Sequence, residues 1–239
     1  MKTSKKVIVI TGGNSGLGKA TAKILTSKNH VIILGKNAKE VLKTAKEFKC
    51  DGIICDITDA SQIKNAFSQV IKKYKKVNCL INCAGVWIKG PIEQNSPDEI
   101  QNTILVNILG TILTVNALVP QFKKQKYGRI ININSQAGLN PKTERSVYNA
   151  SKWAVTGFTK CLQLELAPFN ISAVGFYPGF MHTSIFEKAG DHKTDFSSAM
   201  PIEKPAKALE YLVNIDDDLM INSFEMQSLN KSKQHGYFK

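Results

Sequence analysis

Val7-Ile8-Val9-Ile10-Thr11-Gly12-Gly13-Asn14-Ser15-Gly16-Leu17-Gly18 decides the fold of this chain. Residues 7–10 are apolar at every position, the pattern of a strand buried on both faces, as in a parallel sheet. The glycines then allow a sharp turn. From Leu17 a helical spacing sets in, with Ala20, Ile24 and Leu25 on the apolar stripe, and Asn29 is placed to close the helix in the left-handed conformation. Strand, glycine loop, helix lets the backbone approach a pyrophosphate, while the helix N-terminus supplies N–H donors and a positive dipole end. A plain structural turn fits the same residues.

The alternation continues along the chain. Strands are expected at 31–34, 52–55, 78–81, 130–134, 171–176 and 220–226, and helices at 38–48, 61–74, 97–124, 148–167 and 204–214. Ser96-Pro97-Asp98-Glu99 is a capping box with proline at the first helical position. Strand and helix in turn predict an α/β fold: one domain over 1–239, a doubly wound parallel sheet of about seven strands flanked by helices. Residues 184–200 lack clean periodicity and are read as a substrate lid, and 230–239 as a polar tail. In such sheets the ligand lies outside the carboxyl ends of the strands, and the residues with chemical character gather there.

Composition narrows the classes. The chain has 239 residues, 43% of them hydrophobic, enough for one sizeable core. No uninterrupted apolar run approaches the ~18 residues that span a bilayer, so no membrane role is expected. The formal charge of +13 invites a nucleic-acid reading. Against it, nearly all the positive charge is lysine spread along the chain, the only arginines being Arg129 and Arg145, and no basic-aromatic cluster stands out. Five cysteines form no paired framework and no zinc spacing, so free thiols, a cytoplasmic location and no metal are expected.

Tyr148 and Lys152 stand one helical turn apart, so their side chains share a face. An ammonium beside a phenol favours the phenolate and can lower its pKa from ~10 by roughly 1–3 units, making the pair a usable proton donor and acceptor. Ser135 ends the strand at 130–134. Asn107, amid Leu105, Val106, Ile108 and Leu109, is either a surface residue or part of an internal polar network. Asn82-Cys83-Ala84-Gly85 follows a strand with small residues that let a flat ring lie close. Asp56 is either a turn residue or an acceptor for an adenine amino group. The second strand ends in Gly35-Lys36, where dinucleotide folds specific for NAD carry an acidic residue. No carboxylate there repels a 2′-phosphate and a cation is at hand, which points to NADP(H), with NAD(H) as the other cofactor; Ser15 can add a hydroxyl.

Together, Thr11-Gly12-x-x-x-Gly16-x-Gly18, Asn82-Cys83-Ala84-Gly85, Asn107, Ser135, Tyr148-x-x-x-Lys152 and Pro178-Gly179 resemble the short-chain dehydrogenase/reductase family, over nearly the whole chain. The resemblance implies a single Rossmann-type domain and hydride transfer between NADP(H) and a small carbonyl or alcohol substrate. It makes Tyr148 the proton-exchanging group, Ser135 the holder of the substrate oxygen, and Lys152 the ligand of the nicotinamide ribose that lowers the Tyr148 pKa. Asn107 would hold a water linking Lys152 to solvent. Cofactor contacts are implied for Gly12, Asn14, Ser15, Gly16, Leu17 and Gly18, for Lys36, Asp56 and Ile57, for Asn82, Ala84 and Gly85, for Tyr148 and Lys152, and for Pro178, Gly179, Met181 and Thr183. The family usually forms homodimers or homotetramers through its two long helices. The ending Ile221-Asn222-Ser223-Phe224-Glu225-Met226 is more like reductases of small hydroxy acids and carbonyls. Phe169 stands where members acting on acyl-carrier-protein substrates often carry arginine, which weakens the reading as a 3-oxoacyl-carrier-protein reductase and leaves it as the alternative. A non-catalytic NADP(H)-binding sensor or scaffold is the alternative of another class. Trp87 and Trp153 either line the pocket or pack.

Overall fold

The computed structural model describes residues 5–192 and 194–229; the expected polar tail at 230–239 lies outside the described residues. Strands β1 (Val7–Thr11), β2 (His30–Gly35), β3 (Asp51–Ile54), β4 (Cys79–Asn82), β5 (Gly128–Ile133), β6 (Ile171–Pro178) and β7 (Ser223–Met226) form one sheet. Its order is β3-β2-β1-β4-β5-β6-β7, and every neighbouring pair is parallel. The expected doubly wound α/β fold is what the chain adopts. Helices α1 (Gly16–Leu25), α2 (Ala38–Phe48), α3 (Ala60–Tyr74), α4 (Pro97–Ile104), α5 (Thr111–Gln125), α6 (Ser146–Leu166), α7 (Ile185–Lys188) and α8 (Glu203–Asn214) connect the strands.

Successive strand residues face opposite sides of a sheet, so the apolar runs feed two cores. On one side Val7, Val9, Leu80 and Ile130 pack with Phe67 of α3, Leu118 and Phe122 of α5 and Leu162 of α6. On the other, Ile8, Ile10, Ile81 and Ile131 pack with Leu17 and Leu25 of α1 and Leu209 and Leu212 of α8. Each fully buried aliphatic side chain contributes roughly 1.5–3 kcal/mol. Arg129, which the sequence left without a role, is buried and donates to the carbonyls of Leu212, Ile215 and Asp216, closing the carboxyl end of α8 with a cation.

Some expectations shift. Asn29 does not close α1 in the left-handed conformation; its side-chain amide donates to Leu25 O at 3.1 Å instead. The capping box forms as expected, with Ser96 and Glu99 exchanging hydrogen bonds. The helix it starts is not uniform, because Leu105–Gly110 is a π-helical stretch between α4 and α5 and Asn107 lies within it. Taken as one, Pro97–Gln125 is long and apolar enough to cross a membrane by length and composition. Counting uninterrupted runs misses this, since isolated polar residues break the run. Part of that helix is core, and Ile104 and Leu109 are exposed on it. β7 starts at Ser223, later than its weak alternation suggests.

Because β1 pairs with β2 on one side and β4 on the other, the chain winds outward in both directions from that point. The crevice beyond the strand ends opens there.

Candidate active site

A cleft of about 1200 Å³ lies along the carboxyl edge of the sheet, beyond the ~300–1,000 Å³ of ordinary small-molecule pockets. At one end is the turn between β1 and α1. Gly12 and Gly16 have φ of +65° and +50°. A Cβ on Gly12 would stand 2.8 Å from Ala84 Cα, whereas one on Gly16 would meet only Thr183 Cβ, at 3.9 Å. Gly12 is therefore fixed by close packing, while Gly16 faces open cleft, a cradle an extended polyphosphate fits. Thr11 Oγ1 accepts from the N–H groups of both Cys83 and Ala84 at 3.1 Å, tying the end of β4 to β1. Ser15 caps α1 in an extended conformation without using its hydroxyl for the cap.

Asn14, Leu17, Lys36, Ile57, Ala84, Gly85, Pro178, Gly179, Met181 and Thr183 all line this cleft, as the sequence reading expects. Lys36 follows β2, is exposed, and makes no ion pair among the described residues. Asp56 takes the turn role: its Oδ1 accepts from the N–H and hydroxyl of Thr58 at 2.9 and 2.8 Å, and the residue also lines the cleft.

Two of the expected cofactor residues do not line the cleft. Gly18 is not on the cleft wall, because a Cβ there would meet Gly12 O at 2.4 Å; it serves the close packing of loop and helix. Asn82 is buried and turned inward. Its amide donates to Asn132 Oδ1 at 3.0 Å and its carbonyl accepts from Thr114 at 2.8 Å. Asn132 in turn donates to Thr159 at 2.9 Å. A buried amide with these partners is satisfied without a ligand, so Asn82 holds β4 to β5 and α5.

At the other end of the cleft stand Ser135, Tyr148 and Lys152. Asn134, at the end of β5, donates to Thr156 of α6 at 2.7 Å and accepts from Ser135 N at 3.0 Å, which fixes where Ser135 begins. Ser135 lies beside Tyr148, close enough for its hydroxyl to pull the phenol's pKa down. Lys152 Nζ donates to Ile133 O at 3.0 Å and lies 5.8 Å from the centre of the Tyr148 ring. The structure thus brings the three residues together.

Their electrostatics differ from expectation. Burial pushes the Tyr148 phenol up to about 12, against the opposing pull of the Ser135 hydroxyl and the Arg145 charge. Burial also pushes the Lys152 ammonium down to about 8. The expected lowering of the phenol by Lys152 gives way because one cause acts on both groups. Taking each out of water disfavours its charged form, and Lys152 directs its proton at a backbone carbonyl.

Asn107 belongs to an internal network. Its carbonyl accepts from Val86 N at 2.8 Å, and its amide donates to Val86 O at 3.0 Å and Ser151 Oγ at 3.1 Å. Both amide protons are taken, and these bonds position the Gly85–Val86 backbone against α6. Of the tryptophans, Trp87 lines the cleft edge-on to Tyr148, ring centres 4.5 Å apart, and Trp153 is exposed. Between Met181 and Met200, which bridge, the chain carries α7 and Phe186 and Phe196, which cluster with Phe180.

Known proteins resemble this chain in sequence and fold. A family profile described as short chain dehydrogenase matches residues 6–194. An uncharacterized oxidoreductase of Listeria monocytogenes is 30% identical over 239 aligned residues, which cover 94% of this chain and 96% of the relative. A 3-oxoacyl-[acyl-carrier-protein] reductase of Thermotoga maritima is 33% identical over 194 residues, 79% of each chain. The closed form of a serine dehydrogenase complexed with NADP+ superposes with a TM-score of 0.88, covering 94% of this chain and 95% of that one; at 22% identity the likeness is one of fold.

Proposed function

This chain belongs to the short-chain dehydrogenase family of NAD(P)-dependent oxidoreductases, and on that premise we propose that it reduces a carbonyl compound with NADPH, Tyr148 acting as the acid. The observation that carries the reading is that Ser135, Tyr148 and Lys152 converge at one end of a cleft whose other end is a glycine cradle. The nicotinamide supplies the hydride. Ser135 and Tyr148 hold the substrate oxygen as it gains negative charge. Tyr148, held near 12, is protonated throughout neutral pH and ready to give its proton. Lys152, near 8, exchanges protons in the working range and presents its remaining N–H groups to the cofactor ribose.

Lys36, Ser15 and the absence of a carboxylate ending β2 support NADP(H) over NAD(H). Solved relatives that bind NADP agree with this. The segment 184–200 acts as a lid over the substrate. The faces of Pro97–Gln125 and α6, which expose Ile104, Leu109, Trp153 and Leu164, meet in a homodimer or homotetramer rather than in a membrane. Five free thiols suit a cytoplasmic enzyme.

Tyr148→Phe is expected to abolish NADPH-dependent turnover while fluorescence titration still shows NADPH binding. Undiminished turnover rules the mechanism out. The Thermotoga maritima relative favours a second reading, reduction of 3-oxoacyl groups on an acidic carrier protein. Preference for a 3-oxoacyl carrier protein over every free carbonyl would establish it. NADPH binding without oxidation across a broad carbonyl panel would instead indicate a sensor.

A further inference from the structure

The substrate end of the cleft carries more positive charge than carbonyl reduction uses. Arg145 immediately precedes α6, three residues before Tyr148, and lines the cleft. Its guanidinium lies over the Trp87 ring at 5.1 Å, and the same indole stands against Tyr148. No carboxylate pairs with Arg145 among the described residues. Lys142 also lines the wall, and burial and the charge of Arg145 both push its ammonium down. Two unpaired cations that disfavour each other are relieved by an anion placed between them.

Two further observations point the same way. The indole N–H of Trp87 is buried and meets no acceptor among the described residues, and a buried donor without a partner is unfavourable until an acceptor reaches it. The first turn of α6 holds no acidic residue and its start has no side-chain cap, so the positive end of a 21-residue helix is uncompensated there. The acids on this wall do not answer the charge. Glu144 is exposed and in no ion pair among the described residues, Asp195 accepts from Ser197, and nearby Asp191 lies 4.0 Å from Lys89.

We propose that Arg145, supported by Lys142 and the Trp87 indole, forms an anion site, and that the substrates are short oxo acids whose carboxylate it receives while Ser135 and Tyr148 hold their carbonyl. This rests on the carbonyl-reductase reading and names its substrate class. Arginine suits the task because its planar fork matches a carboxylate and stacks on an aromatic face.

The test measures kcat/KM with NADPH for 3-oxobutanoate and 4-oxopentanoate, each against its methyl ester, in wild type, Arg145→Gln and Arg145→Lys. The quantity read is the acid-to-ester ratio, which cancels any general effect of the substitution on Tyr148. In wild type it lies well above one. In Arg145→Gln it falls roughly 10- to 100-fold, the worth of a hydrogen bond to a charged group, and Arg145→Lys, which keeps the charge without the planar fork, falls between the two. A wild-type ratio at or below one, a ratio unmoved in Arg145→Gln, or a preference for the N-acetylcysteamine thioester of 3-oxobutanoate over the free acid overturns the anion site alone. Failure to oxidise NADPH with any acid, ester or simple ketone defeats the carbonyl-reductase reading beneath it.

Discussion

Lys152→Met asks whether the buried ammonium is held at the expense of the fold. Burial lowers Lys152 from 10.5 to about 8, so at pH 7 the folded protein carries a charge it is disposed to lose. Each pKa unit corresponds to about 1.36 kcal/mol, and a gap of roughly 2.5 units to about 3 kcal/mol. Below pH 8 folded and unfolded chains both hold the proton and the full penalty applies. Between 8 and 10.5 the unfolded chain binds more protons, so stability rises with pH through that window; above it the penalty is gone. Tyr148, raised to about 12, has the opposite effect above pH 10, but both proteins share it. Methionine keeps the apolar stem and leaves Ile133 O without its donor, a loss of about 1 kcal/mol. The variant should therefore be more stable than wild type by about 2 kcal/mol at pH 7, the advantage vanishing near pH 10. Urea denaturation at pH 7, 8, 9 and 10 reads this directly, alongside loss of turnover. A variant less stable than wild type at pH 7, or a difference that ignores pH, refutes the reasoning.

Lys36→Ala should reduce the preference for NADPH over NADH by roughly fivefold in a fluorescence titration, since Lys36 is exposed and an exposed pair is worth at most ~1 kcal/mol; an unchanged ratio means Lys36 does not face the 2′-phosphate. Gly12→Ala places a side chain at φ +65°, 2.8 Å from Ala84 Cα. The backbone conformation alone costs about 1–2 kcal/mol, so both the urea midpoint and NADPH affinity should drop. Wild-type values for both would show that the loop relaxes freely.

The alternation of strands and helices could be read from sequence because two-sided burial leaves a local trace: β1, β2 and β4 are apolar at nearly every position. Gly12 and Gly16 were legible for a similar reason, since left-handed backbone leaves few choices of residue. The site's electrostatics were not. The shifts of Tyr148 and Lys152 depend on how far the surrounding chain excludes water, a property of the assembled fold and not of a four-residue spacing. The internal role of Asn82 was not legible either, because the resemblance assigned it only a cofactor contact. In a central strand of a parallel sheet it must first be satisfied from within, and its partner Asn132 is 50 residues away in sequence. One signal was nevertheless present. Asn82 follows the expected strand at 78–81 and Asn132 lies within the one at 130–134, and the register sets them side by side. On α6, Lys152, Thr156 and Thr159 recur at helical spacing, so one face carries a cation and two hydroxyls toward those strand ends. Thr159 accepts from Asn132 and Thr156 from Asn134. The face that delivers Lys152 to the cleft is thus the face that anchors β5, which is why the ammonium and the Ser135 hydroxyl keep a fixed separation.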